Sequence, residues 1–211
     1  MRTRATPIPG EVVIGMAAIA LAYGEARVAA TFLLSFVGLL RTGEVLSLRV
    51  SQLSFVGDGH LCIVALPDSK GAKRKGFAEC VLIYDIVIIR FLQRVVRELP
   101  PEAPLFLGKW KQLQDSILRY AGLFGYTAAG LTPYCLRRGG ATWHFTKYHS
   151  LDATQALGRW EHAKTAKIYI TQALADTTAL SLNSKQERWV VLGRQILQRF
   201  PASPVLSAPV E

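Results

Sequence analysis

Two apolar stretches, Val12–Tyr23 and Val28–Leu40, follow one another near the start of the chain and are parted at Gly24. They predict two core helices, at about 11–23 and 26–39. Arg2 and Arg4 ahead of the first stretch resemble the start of a secretory leader. Pro7, Pro9 and Glu11 break that pattern, and neither run reaches the roughly 18 residues of a membrane span. A short helix is expected from Thr42. The pattern then changes period: Gln52–Val56 and Leu61–Leu66 read as strands around a turn at Asp58-Gly59, and a third strand is expected at about Phe77–Ile83. The polar segment Pro67–Gly76 between them reads as a turn.

Helical spacing returns at Ile86–Leu99, capped by Asp85 and ended by Pro100-Pro101, and again at about 109–124. Thr132-Pro133 reads as a cap followed by proline at the first helical position, opening a helix that runs to about Tyr148. Asp152–Leu157, Thr165–Leu180 and an amphipathic Trp189–Phe200 complete the pattern. The fold class expected is mainly α with a small antiparallel β-sheet, an α+β arrangement.

Composition narrows the function. The 211 residues are half hydrophobic, enough for one sizeable core, and carry 25 Lys and Arg against 15 Asp and Glu, a net charge of +10. That balance favours a polyanionic partner, nucleic acid before a membrane surface. The three cysteines, Cys62, Cys80 and Cys135, show no CxxC spacing, and their odd number predicts free thiols in a reducing compartment. The four histidines form no ligand pair, so no structural metal is expected.

The candidate chemistry lies in RTGEVLSL, SKGAKRKG, LTPYCLRRGGATWHF and LGRWEHAKTAKIYI. Arg41 and Arg137 are two guanidiniums whose fork geometry suits a pentavalent phosphate, each at a helix boundary where a chain presents a charge. Glu44, one helical turn past Arg41, can hold it in place. Lys70 can protonate a leaving 5′ oxygen, with Lys73, Arg74 and Lys75 as competitors for that role or as contacts to a phosphate backbone. Tyr169 can act as a covalent nucleophile; Trp160 and Tyr134 can donate hydrogen bonds to phosphate. Taken singly each has a plainer reading: a helix cap for Arg41, an ion pair for Arg137, core packing for Trp160 and Tyr169.

Order and spacing join them. LLRTGEVLSLRVSQL, SKG, PYCLRRGGAT and LGRWEHAKTAKIY resemble, in sequence order, the boxes of the tyrosine recombinase (phage integrase) catalytic domain, over roughly residues 10–185. The nine-residue step from Trp160 to Tyr169 is similar to that family's spacing. The resemblance implies Arg41, Lys70, Tyr134, Arg137, Trp160 and Tyr169 as the catalytic set, with Glu44 in support. Lys73, Arg74, Lys75, Arg138 and Arg159 are then assigned to DNA binding. It implies cutting and rejoining of double-stranded DNA through a 3′-phosphotyrosine with no metal or nucleotide cofactor. Action would be intracellular, in the nucleus if the host is eukaryotic; the LRRGGAT and GRW wording looks closest to eukaryotic mobile elements.

Two departures stand out. Tyr134 occupies the usual histidine position and is no base near neutral pH. About ten residues precede the first helix where the family carries a separate DNA-clamp (core-binding) domain, so residues 1–9 are read as a lead-in. Residues 186–211 are read as a C-terminal helix and tail, the helix docking on a neighbouring protomer as in the family. The competing readings are a catalytically inactive DNA-binding relic of a mobile element and, further off, an unrelated helical interaction protein. Relaxation of DNA, the outcome of type IB topoisomerases, shares the same chemistry.

Overall fold

The computed structural model describes residues 6–57, 59–126, 131–177 and 182–199. Helix α1 (Gly10–Ala22) is buried on nearly every side, with Val12, Val13, Met16, Ala17 and Ile19 almost inaccessible. A helix apolar all round belongs in a core, which accounts for the leader-like look of its sequence. Around it lie α2 (Ala26–Val37), α6 (Trp110–Gly122), α7 (Tyr134–Tyr148) and α10 (Ser184–Arg199). Among the described residues no helix is long and apolar enough to cross a membrane.

Helix α7 reaches the centre because Gly139 and Gly140 carry no side chain. A Cβ on Gly139 would stand 1.9 Å from the carbonyl oxygen of Ile8, and one on Gly140 2.1 Å from that of Phe36. Backbone thus packs on backbone, and the first turn of α7 is carried to the end of α2. Gly140→Ala is expected to cost about 3 kcal/mol, by overpacking against a carbonyl that cannot swing away, read as a lowered urea midpoint.

The sheet comprises β1 (Leu53–Val56), β2 (Leu61–Leu66) and β3 (Glu79–Ile83), antiparallel in the order β1-β2-β3. Leu53 pairs with Val64, Cys62 with Ile83 and Leu66 with Glu79. Cys62, Val64 and Leu66 face inward with Glu79, Val81 and Ile83. In the β1–β2 turn Gly59 has φ +85°, while its expected companion Asp58 lies outside the described residues.

Several boundaries differ from expectation. The β2–β3 link is not a plain turn: Lys70–Lys75 is a helical turn and a half, α4. Ser69 Oγ accepts from the amide of Ala72 at its start, and Gly76 ends it at φ +77°. Helix α3 (Thr42–Ser47) falls as predicted, and α5 (Ile86–Val96) starts where Asp85 accepts from the amides of Val87 and Ile88. Helix α7 begins at Tyr134, one residue past the expected proline. Helices α8 (Leu151–Gly158) and α9 (Ala163–Thr177) follow, and residues 178–180 of the helix expected to reach Leu180 lie outside the described residues. Helix α10 starts five residues before Trp189, because Asn183 Oδ1 caps the amides of Lys185 and Gln186.

That last helix packs one face on its own chain. Val190, Gly193 and Leu197 are buried against the same chain; a Cβ on Gly193 would meet Ala18 Cβ at 2.8 Å and Ile14 O at 3.1 Å. This face covers α1 of its own molecule, while Val191 and Leu192 stay exposed on the other.

The thiols of Cys62 and Cys135 are both buried, which pushes each up to about 12. Unfolded, they ionise from about pH 9. Between those values the folded chain holds more protons, so stability falls as pH rises, by about 1.4 kcal/mol per pH unit for each thiol. Urea unfolding at pH 8 and pH 10 is expected to differ by about 3 kcal/mol; equal stabilities would contradict the burial.

Candidate active site

Arg41 leads into α3, with Glu44 one turn below. The Arg41 amide donates to Glu44 Oε2 at 2.7 Å and its Nη1 to Oε1 at 2.6 Å. Glu44 is buried, whereas 30% of the Arg41 side chain stays exposed. One carboxylate therefore fixes both the backbone and the head of an arginine whose outer face is free for an anion. Lys70, the first residue of α4, is exposed, and it lines the same cleft as Arg41, Glu44, Ser47 and Lys73, with a volume of about 380 Å³.

Arg137 was expected to present its charge at a helix start. It is instead 1% exposed, its Nη1 donating to the carbonyl of Leu39 and its Nη2 to that of Gly158 at 2.5 Å. Both acceptors sit at left-handed turns: Leu39 has φ +46°, and Arg159, directly after Gly158, has φ +54°. A left-handed leucine is disfavoured, and here it aims a carbonyl at a buried cation. Burial pulls Arg137 down to about 10, partly offset by Tyr134 and worsened by the neighbouring Arg41 and Arg159. It remains charged at neutral pH.

The guanidinium carbon of Arg137 lies 4.8 Å from the centre of the Trp160 ring, a cation–π contact. Trp160 lies over Gly158, where an added Cβ would come within 2.2 Å of the indole. It stacks on Tyr169 at 5.1 Å and 16°. These contacts use its ring face and make it a plate between arginine and tyrosine.

Tyr169, half-buried on α9, meets Tyr134 from the start of α7; their hydroxyls are 2.6 Å apart. Burial first, then the bond to Tyr169, pushes Tyr134 up to about 12, against the pull of Arg137. Tyr134 is therefore a neutral hydrogen-bond partner, not a base.

The residues assigned to DNA divide. Lys73 and Arg74 are exposed on α4, Arg74 pairing with Glu161 ahead of α9, and Lys75 closes the helix. Arg138 and Arg159 face inward, which corrects their assignment. Arg138 is 3% exposed, its guanidinium 6.0 Å from the Tyr169 ring centre. Arg159, with a side chain 6% exposed, donates to Glu44 Oε2 at 2.5 Å and lies 3.6 Å from Glu79 Oε2. Arg41, Arg137 and Arg159 thus gather around Glu44 and Glu79, a local excess of one positive charge beneath the open face of Arg41. An excess of this kind suits an anionic ligand. Sequence reasoning missed Leu39, Gly158 and Glu79. Glu79 left a signal, since a carboxylate in phase with Val81 and Ile83 must be buried and needs partners.

No protein-family model matches the chain, and no curated protein matches it. Solved structures do. The XerH site-specific recombinase bound to palindromic difH substrate, in a post-cleavage complex, superposes with a TM-score of 0.61 at 21% identity, over 83% of this chain and 53% of that one. The XerA recombinase gives a TM-score of 0.58 at 17% identity, over 95% of this chain and 66% of that one. The Tn1549 transposon integrase in complex with transposon right-end DNA gives 0.58 at 13%, over 83% and 66%. The chain spans about half the length of the XerH recombinase it matches. Its fold is that of a tyrosine-recombinase catalytic domain, α+β with one small antiparallel sheet.

Proposed function

We propose that this protein is a DNA strand transferase that cuts and rejoins double-stranded DNA as a site-specific recombinase or integrase. The Tyr169 oxygen attacks a backbone phosphorus; the bond from phosphorus to the 5′ oxygen breaks, leaving a 3′-phosphotyrosine and a free 5′-hydroxyl. Rejoining is the reverse, so the phosphodiester energy is kept in the covalent bond. Arg41 and Arg137 stabilise charge on the equatorial oxygens. Lys70 gives its proton to the departing 5′ oxygen. Tyr134 orients the Tyr169 hydroxyl, whose proton leaves to solvent. The observation that carries this reading is the unbroken contact from Tyr169 through Trp160 to Arg137. An origin in a eukaryotic mobile element, and action in a nucleus, rest on sequence wording alone.

The test needs no known target. Supercoiled plasmid is incubated with the protein in EDTA and quenched with SDS; relaxed DNA and DNA linked to protein are expected. Binding without linkage, weakening by about 10³-fold or more between 50 and 200 mM salt, would identify a binding relic, a reading favoured by the un-basic Tyr134. Absence of both would leave the fold without the function. Because Tyr134 stays protonated, the rate of capture is expected to rise with pH above 7. Tyr134→His, which supplies a base near the tyrosine, is expected to raise the rate at pH 7 about tenfold and flatten the profile above it.

A further inference from the structure

We propose that Glu79, a residue with no part in the chemistry above, is a positioning residue that holds the Lys70 helix in register with the arginine cluster; this rests on the proposed strand transfer. Glu79 opens β3 opposite Leu66, and strand alternation turns it inward with Val81 and Ile83. A carboxylate there must be paired.

Its partners come from two otherwise separate parts of the site. Ser69 Oγ donates to Glu79 Oε2 at 2.7 Å. The same oxygen of Glu79 lies 3.6 Å from Arg159 Nε and 3.9 Å from Arg41 Nη1. Ser69 is the cap of α4, its Oγ accepting from the Ala72 amide at 2.9 Å, and the next residue is Lys70. Glu44, by contrast, pairs with Arg41 and Arg159. Glu79 therefore carries the position of the guanidiniums across to the helix bearing the lysine.

Gly71 makes the fit possible. A Cβ at that position would stand 2.0 Å from Glu79 Oε1 and 2.3 Å from its Cδ, so the carboxylate lies directly against the first turn of α4. The clamp matters because Lys70 is exposed on a helix of six residues. A general acid must stay within hydrogen-bond reach of the leaving oxygen, and a misplacement of about 1 Å can cost about 10²-fold in rate.

The test compares two versions of a duplex whose cleavage site has been mapped from the plasmid adduct. One is ordinary; in the other the 5′ bridging oxygen is replaced by sulfur, a leaving group that needs no proton. Glu79→Gln keeps the shape and removes the charge, whereas Gly71→Ala pushes on the clamp from the lysine side and changes no charge. Both are expected to slow the ordinary duplex by about 10- to 100-fold, yet to cleave the sulfur-substituted duplex within about threefold of wild type. Arg41→Ala is expected to be slow on both. Equal slowing of both duplexes by Glu79→Gln, or no slowing of either, overturns the proposal.

Limited trypsin digestion gives a readout independent of cleavage. Measured well below the thermal midpoint, which the loss of the buried charge lowers, the exposed Lys70, Lys73 and Arg74 are expected to be cut at least about fivefold faster in Glu79→Gln, and more than sites elsewhere in the chain, since local opening governs proteolysis of a folded chain. If the wild type cuts neither duplex, the strand-transfer reading fails, and unchanged trypsin cutting then overturns the clamp as well.

Discussion

Tyr169→Phe protein captures no DNA in SDS-stable form, a loss of about 10⁴-fold or more, while it binds DNA with wild-type affinity and salt dependence. The substitution removes one oxygen and keeps the ring, so the stack on Trp160 and the neighbouring Arg138 remain. The hydrogen bond to Tyr134 disappears, at a cost of about 1 kcal/mol. A thermal midpoint within a few degrees of wild type separates this loss from unfolding. Capture by the variant at more than a few per cent of the wild-type rate would mean that another group attacks.

Arg137→Lys is expected to lower the rate of capture by about 10³-fold, a value typical of removing one preorganised donor from a developing oxyanion. It also destabilises the fold by about 2 kcal/mol or more. The guanidinium serves the carbonyls of Leu39 and Gly158 at once and lies over Trp160. A lysine offers one ammonium without the planar fork, so a buried carbonyl is left unpaired and the plate beneath Tyr169 loses its partner. Both effects appear together in urea titrations and single-turnover capture. Wild-type capture by this variant would show that the buried arginine is structural alone, and would place the phosphate at Arg41.

Much of this was legible because apolar spacing reports burial. The paired core helices, the three strands and the order of the four boxes all lie in the sequence. What escaped had physical reasons. Helix α4 carries a single apolar side chain, Ala72, so hydrophobic periodicity is silent there, although Ser69 and Gly76 mark its ends. Helix α10 starts early through the Asn183 side chain, with Gln186 Oε1 accepting from the Asn183 amide three residues before it, a capping box that lies ahead of the apolar positions. Arg137, Arg138 and Arg159 looked like surface charges, because the general tendency of arginine is to be exposed. Only the tertiary meeting of Gly139-Gly140 with Ile8 and Phe36 reveals the first turn of α7 as interior. The strained carbonyl of Leu39 has no sequence signature, since nothing in LLRTG demands a left-handed leucine.

Tyr134 and Tyr169 touch through their hydroxyls, so either oxygen is close enough to the site to attack a phosphate placed there. The decisive measurement is therefore the identity of the residue joined to DNA: plasmid adduct trapped with SDS, digested with nuclease and trypsin, and the modified peptide sequenced by mass spectrometry. The account predicts a single phosphodeoxynucleotide-bearing residue, Tyr169, in the peptide that follows Lys167. An adduct on Tyr134, or none in a preparation that binds DNA, contradicts it.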